Sequence, residues 1–110
     1  MVARKVSEAD VDQIFHALAD ATRRDILVRV IQGEQSVSTL AARYPMSFAA
    51  VQKHVAVLQR ASLVTKTRRG REQIVHGDVT VLRRAIRLLD AYEQLWRHRA
   101  GAIEQILTED

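Results

Sequence analysis

Residues 42–71 read ARYPMSFAAVQKHVAVLQRASLVTKTRRGR. The stretch predicts the end of a short helix, a tight turn, a second helix and then a basic hairpin. Ser47 suits the N-cap of the second helix, because its hydroxyl can accept a bond from a free backbone N–H of the following turn. Val51, Val55 and Leu58 recur at i, i+4 and i+7 and give one apolar stripe. Phe48, Ala49, Gln52, Lys53 and Gln59 lie largely off that stripe and are free to meet something outside. From position 35 to position 71 there is no Asp or Glu, while Arg43, Lys53, Arg60, Lys66, Arg68, Arg69 and Arg71 supply seven positive charges. A charge run is ordinarily a solvated face. A run of one sign, laid on a helix, a turn, a helix and a hairpin, points instead to nucleic acid.

Upstream of this stretch, residues 1–6 read as a frayed arm whose Arg4 and Lys5 are free to touch a phosphate. Ser7 followed by Asp10 resembles a capping box, and Val11, Ile14, Phe15 and Leu18 mark an amphipathic first helix. Asp20 is a candidate N-cap for a second helix with Ile26, Leu27, Val30 and Ile31 on its core face, and Gly33 is its natural stop. Arg23 and Arg24 fall in its first turn, where the helix dipole does not favour cations. They either pair with Asp20, Asp25 or a neighbouring acid, or contact phosphate. A short third helix is expected over residues 38–44, with Leu40, Ala41 and Tyr44 to bury, and both Ser36 and Ser38 suit its N-cap. Pro45 ends it, since the residue before a proline is pushed out of the α region. The three residues 45–47 then turn the chain into the fourth helix, in the geometry that reads DNA.

Downstream, residues 63–68 alternate around Val64, Thr65 and Thr67, and residues 73–76 return as a second strand. Arg69 and Gly70 suit a hairpin turn, because glycine supplies a positive φ without steric cost. A two-stranded ribbon tipped with Arg68, Arg69 and Arg71 is a wing, and such arginines can enter a narrow minor groove or pair with phosphates. Asp78 is expected to cap a last helix over residues 79–107, about 43 Å long at about 1.5 Å per residue. Leu82, Leu89, Trp96 and Ile103 are spaced by sevens, with Ala85, Tyr92 and Ile106 on adjoining rows and Leu88 and Leu95 on a second one. That seam suits packing along another helix. It is longer than so small a domain can cover, so a homodimer is the simplest explanation.

The composition bounds these readings. The chain has 110 residues, 47% of them apolar, a net charge of +4, four glycines, one proline and no cysteine. One folded domain with a modest core fits that length. We expect a single domain over 1–110, with core and wing at 7–77 and a long dimerisation helix at 78–108. Without cysteine there is neither a disulfide framework nor a thiolate metal site. No apolar run reaches the length of a membrane span and no signal-peptide core is present, so the cytoplasm is the expected compartment.

Three segments carry a family resemblance: IFHALADATRRDIL at 14–27, STLAARYPMSFAAVQKHVAVLQRASLV at 38–64, and TRRGREQIVHGD at 67–78. Together they resemble the ArsR/SmtB-type winged-helix transcriptional repressors. The tail with Tyr92 and Trp96 is similar to a subgroup whose terminal helix carries those two aromatics at that spacing. The resemblance implies a homodimer, two recognition helices in successive major grooves, and repression by blocking polymerase. It places Ser47, Phe48, Ala49, Gln52, Lys53 and His54 at recognition-helix positions and Arg68, Arg69 and Arg71 in the wing. Ser62 stands where the family usually has glycine, and Gly77 where an aliphatic residue is common. The family's metal sensing does not carry over: its cysteine pair would fall near residues 36–40, and on the last helix Asp90 matches but Tyr92 replaces the first histidine. His98 and Glu93 across a dimer would supply two ligands, short of a closed zinc site. His16, His54 and His76 read as structural or phosphate-facing.

The expectation is therefore a mainly α fold with a two-stranded β-wing, a winged helix-turn-helix dimerised through its terminal helices along Leu82, Leu89, Tyr92, Trp96 and Ile103. Its expected partners are double-stranded DNA and a second copy of itself, with no membrane, no cofactor and no metal, and no inducer is identified. Gln52 and Lys53 are the sensible readers, since Gln can pair with adenine and Lys with guanine. A protein-interaction winged helix that does not bind DNA is the alternative, against which the acid-free stretch argues. An enzyme is not expected, because no nucleophile–base pairing or phosphate loop appears.

Overall fold

The computed structural model describes residues 8–108. The arm at residues 1–6, with Arg4 and Lys5, and the proposed cap Ser7 lie outside the described residues. The chain runs α1 (Glu8–Leu18), α2 (Ala21–Gln32), β1 (Gln35–Ser36), α3 (Val37–Ala41), α4 (Phe48–Arg60), β2 (Val64–Arg69), β3 (Glu72–Gly77) and α5 (Leu82–Thr108). Helices α1 to α4 enclose a core in which Ile14, Ile26, Leu40, Val51, Val55, Leu58, Leu63, Val64 and Val75 are fully buried. Most of them are the periodic apolar positions of the sequence, now meeting in one cluster; Ile31, expected on the core face of the second helix, is instead 45% exposed, because it lies at the end of α2 beside Gly77 at the root of the hairpin. α2 packs on α4 and β3, α3 on α4 and β3, and α1 on α2, α4 and α5.

The caps act locally, as the sequence implies. The Asp20 carboxylate accepts the Arg23 N–H at 3.0 Å and opens α2. Of the two serines that suited α3, Ser36 is the cap: its hydroxyl oxygen accepts the Thr39 N–H at 3.0 Å. α3 ends at Ala41, short of the expected Tyr44. The chain tightens instead through Arg43 N–H to Leu40 O and Tyr44 N–H to Ala41 O, and the Tyr44 hydroxyl donates to Asp25 Oδ2 on α2. Residues 42–47 therefore make the turn, twice the expected length.

The sheet holds a strand that periodicity cannot reveal. β1, only two residues long, pairs antiparallel with β3 through Gln35 opposite Val75 and Ser36 opposite Ile74, and the order is β1-β3-β2. The hairpin β2–β3 is the wing, registered from Val64 opposite Gly77 to Arg69 opposite Glu72. The turn is thus Gly70–Arg71, one residue later than expected, with Gly70 at φ 64°. Glycine in the first of two loop positions is the II′ arrangement, whose twist matches the strands. Gly77 at the root has another reason: a Cβ there would lie 2.9 Å from Ile31 Cγ1 and 3.1 Å from Ile31 Cα and N. The side chain is missing because α2 occupies its place.

α5 begins at Leu82, three residues after the expected start, while the Asp78 carboxylate accepts the Thr80 N–H at 2.9 Å in the turn before it. Its 27 residues make a rod of about 40 Å, which stretches the molecule to 71 × 42 × 21 Å. Among the described residues no helix is long and apolar enough to cross a membrane.

Candidate nucleic-acid interface

α4 is anchored at both ends and along one stripe. The Ser47 hydroxyl accepts the Ala50 N–H at 3.1 Å. At the other end Ser62 N–H donates to Gln59 O and Leu63 N–H to Leu58 O, at 2.9 and 3.0 Å. That pair of bonds is the Schellman motif, with the buried Leu58 and Leu63 as its apolar contact. The motif requires a left-handed residue at its centre, and Ser62 supplies it at φ 61°. The family's glycine at this position thus has a backbone cause, and serine holds the same shape under strain.

Val51, Val55 and Leu58 bury the inner stripe. With about 100° between successive residues, Ala49, Lys53 and Arg60 fall on the opposite side, with Phe48, Gln52 and Gln59 along one flank. All six are exposed. Among the described residues Lys53 and Arg43 form no ion pair with an acid. His54 differs from the other recognition-helix positions: it is half-buried and its Nδ1 lies 3.3 Å from Nη1 of Arg23 on α2.

The wing is less uniformly basic than its own sequence. Glu34, one residue before the acid-free stretch, reaches Arg69 with both oxygens, at 2.7 and 3.3 Å, and lies 3.3 Å from His76 Nδ1. The Arg69 guanidinium holds the Glu34 carboxyl below its ordinary pKa, and the carboxylate raises that of Arg69 in return. His76 also bonds Thr67 Oγ1 through Nε2 at 2.8 Å. Arg68 donates from Nε to Gly70 O at 3.0 Å and braces the turn. Arg71 is exposed, with no acidic partner among the described residues. The three wing arginines therefore divide into one strut to Glu34, one brace and one outward cation.

Arg23 and Arg24, left between acid pairing and phosphate contact by the sequence, chiefly cap α1. Arg23 donates to Ala17 O and His16 O at 2.8 and 2.9 Å, and Arg24 to Leu18 O at 2.7 Å. Cations at the negative end of α1 gain what they forfeit in the first turn of α2. Arg23 also lies 3.9 Å from the Asp20 carboxylate. Asp20 is held below its ordinary pKa, first by the Arg23 backbone N–H, and Asp25 likewise, first by the Tyr44 hydroxyl and then by Arg29. Sequence spacing gives no sign of these bonds to α1, because the acceptors are main-chain carbonyls.

The five seam residues of α5 do not share one environment. Leu82 packs on the chain's own core next to the buried Ala85. Leu89, Tyr92, Trp96 and Ile103 are exposed by 53, 59, 69 and 49%. A shallow apolar depression runs along Trp96, Ala100, Ile103 and Leu107. His98 and Glu93 are exposed on the same helix, Glu93 paired with Arg97. Among the described residues no three histidines or carboxylates come together in a way that could hold a metal ion.

No family model matches the chain. Over 71 residues, 64% of its length, it is 39% identical to the HTH-type transcriptional regulator Rv2034 of Mycobacterium tuberculosis, and the match spans 66% of that relative. An ArsR-like transcriptional regulator from Rhodococcus sp. RHA1 superposes with a TM-score of 0.76 at 37% identity, over 89% of this chain and 92% of that one. The homodimeric winged helix-turn-helix DNA-binding domain of Mb0332 from Mycobacterium bovis shares the fold at 23% identity and a TM-score of 0.63, over 86% of this chain and 92% of that one.

Proposed function

The chain belongs to the ArsR family of transcriptional regulators, and on that premise we propose that it is a homodimeric repressor that seats one α4 per half-site of an imperfect palindrome in double-stranded DNA. The observation that carries this reading is the outward face of α4. Gln52 and Lys53 stand clear of the core on a helix fixed at both ends, with Arg60, Arg43 and Arg71 as exposed cations around it. Gln52 and Lys53 address base edges, and the arginines address backbone phosphates. A homodimer through the exposed apolar face of α5 would have to hold the two α4 helices about one turn of DNA apart, roughly 34–36 Å, to seat both half-sites. The homodimeric assembly of the Mycobacterium bovis domain is consistent with that arrangement.

Selection of bound duplexes from a random pool supplies the preferred site, and two substitutions then test who reads it. Gln52→Ala is expected to cost about 1–3 kcal/mol on the preferred site and to relax the base preference beneath it. Arg71→Ala is expected to weaken all sequences evenly and to lower the salt slope by about 0.9 for each phosphate it no longer neutralises. Arg69→Ala should lower it less, since the Arg69 charge is already paired with Glu34. If Gln52→Ala and Arg71→Ala behave alike across a panel of site variants, α4 is not the reader.

A further inference from the structure

Arg23 is a cation at the start of α2, yet only 12% of its side chain is exposed. Its guanidinium touches three elements at once. Nε and Nη2 donate to Ala17 O and His16 O at the end of α1. Nη1 faces the Asp20 carboxylate that caps α2, at 3.9 Å, and Nδ1 of His54 on α4, at 3.3 Å. The chemistry fixes the sense of that last contact. A guanidinium offers only N–H donors and keeps its proton. His54 Nδ1 therefore accepts, and the ring carries its proton on Nε2.

The buried side chains of α4 are apolar, Val51, Val55 and Leu58, with Val57 packed beside them. Dispersion and burial are non-directional, so these contacts constrain the roll of α4 only through the fit of their shapes. A hydrogen bond from a clamped guanidinium adds a direction. A side chain ends about 5–6 Å from its helix axis, so a roll of about 10° carries its end by about 1 Å, enough to spoil a hydrogen bond to a base edge.

We propose that Arg23 is a positioning residue for DNA reading: through its bond to His54 Nδ1 it sets the roll of α4 against α1 and α2, so that Gln52 and Lys53 meet the bases in register. This rests on α4 being the reading helix, as proposed above. It differs from a phosphate contact by His54, because the effect falls on discrimination between sequences.

The test uses the whole chain, the duplex selected from a random pool, and a scrambled duplex of equal length. His54→Leu removes the acceptor. His54→Asn restores one, since the Asn Oδ1 takes the place of Nδ1. Wild-type imidazole 15N shifts, read by long-range 1H–15N correlation, should report the Nε2–H tautomer at His54. His54→Leu should lower affinity for the selected duplex by about tenfold or more while changing the scrambled duplex by no more than about twofold, and His54→Asn should recover it to within about threefold. Equal losses on both duplexes, no recovery by His54→Asn, or an Nδ1–H tautomer in the wild type would each overturn the proposal. A wild-type chain that binds duplexes but prefers none would remove α4 as reader, and the proposal with it. That failure is distinct, because it appears before any variant is made.

Discussion

α4 and α5 are both amphipathic, and they use the property in opposite ways. α4 has 13 residues, buries Val51, Val55 and Leu58 within its own chain, and is capped at both ends. α5 is twice as long and buries only Ala85, leaving Ile86, Leu89, Tyr92, Leu95, Trp96, Ile103, Ile106 and Leu107 between 49 and 77% exposed. An apolar stripe states that a face will be covered; it does not state in which chain the cover lies. Length decides that here, because a rod of about 40 Å runs past the core it starts from. An uncovered apolar strip of this kind marks an association surface. The compact half is thus complete as one chain, and in the assembly proposed above the rod is completed by a second.

The largest effect should come from charging the rod. Leu89→Glu combined with Trp96→Glu should give monomers by sedimentation at micromolar protein, with the domain still folded, and should lower operator affinity by roughly 10²–10⁴, the gain that bivalent binding supplies. A dimer that survives both changes would erase the contrast between the two helices. A matched pair of truncations sharpens it. Leu58→Ala should cost about 2–5 kcal/mol of unfolding free energy, whereas Leu89→Ala, at concentrations where the chain is monomeric, should stay within about 0.5 kcal/mol. Equal costs in denaturant titrations would place α5 in the monomer's core after all.

Acid should act on the compact half first. Asp20 and Asp25 are both held below the ordinary carboxylate pKa in the folded chain. The unfolded chain then binds more protons, so stability rises with pH. Their contribution is complete above the ordinary value of about 4 and is lost as pH falls below it through the folded values. Melting temperature should decline over that window, and Asp25→Asn should flatten part of the decline. The smallest expected effect is a gain. Ser62→Gly removes a left-handed serine that costs about 1–2 kcal/mol, offset in part by the freer unfolded chain, and should stabilise by about 0.5 kcal/mol.

What is legible in the sequence is what a few neighbouring residues decide. Asp20, Ser47 and Gly70 announce their turns because each acts within three or four positions, and the stripes of α2 and α4 repeat often enough to be recognised. Pro45 gives only an upper limit for the end of α3: the chain tightens after Ala41, and Tyr44 bonds Asp25, 19 positions away. β1 is invisible because two residues have no period. The division of the wing arginines is equally hidden: Glu34 lies 35 positions from Arg69. Arg23 and His54, 31 apart, meet only once α2 and α4 have packed. The seam of α5 is a row of heptad positions, but Leu82 sits where the row still faces its own core. The exposed residues on the outer face of α4 are thus visible from pattern, and the contacts that hold that helix in place are not.

The wing is a lever, and its fulcrum is Gly77. From the root, where Gly77 opposes Val64, the hairpin reaches about 20 Å to its tip at about 3.3 Å per residue. The first methyl group added at Gly77 would press on the main chain of α2. A yield of about 0.5 Å there, across a strand spacing of about 4.8 Å, tilts the ribbon by about 6° and swings Arg71 through about 2 Å. The position of the wing tip can therefore be adjusted from the root of the hairpin, by mass added far from the charge that the mass moves.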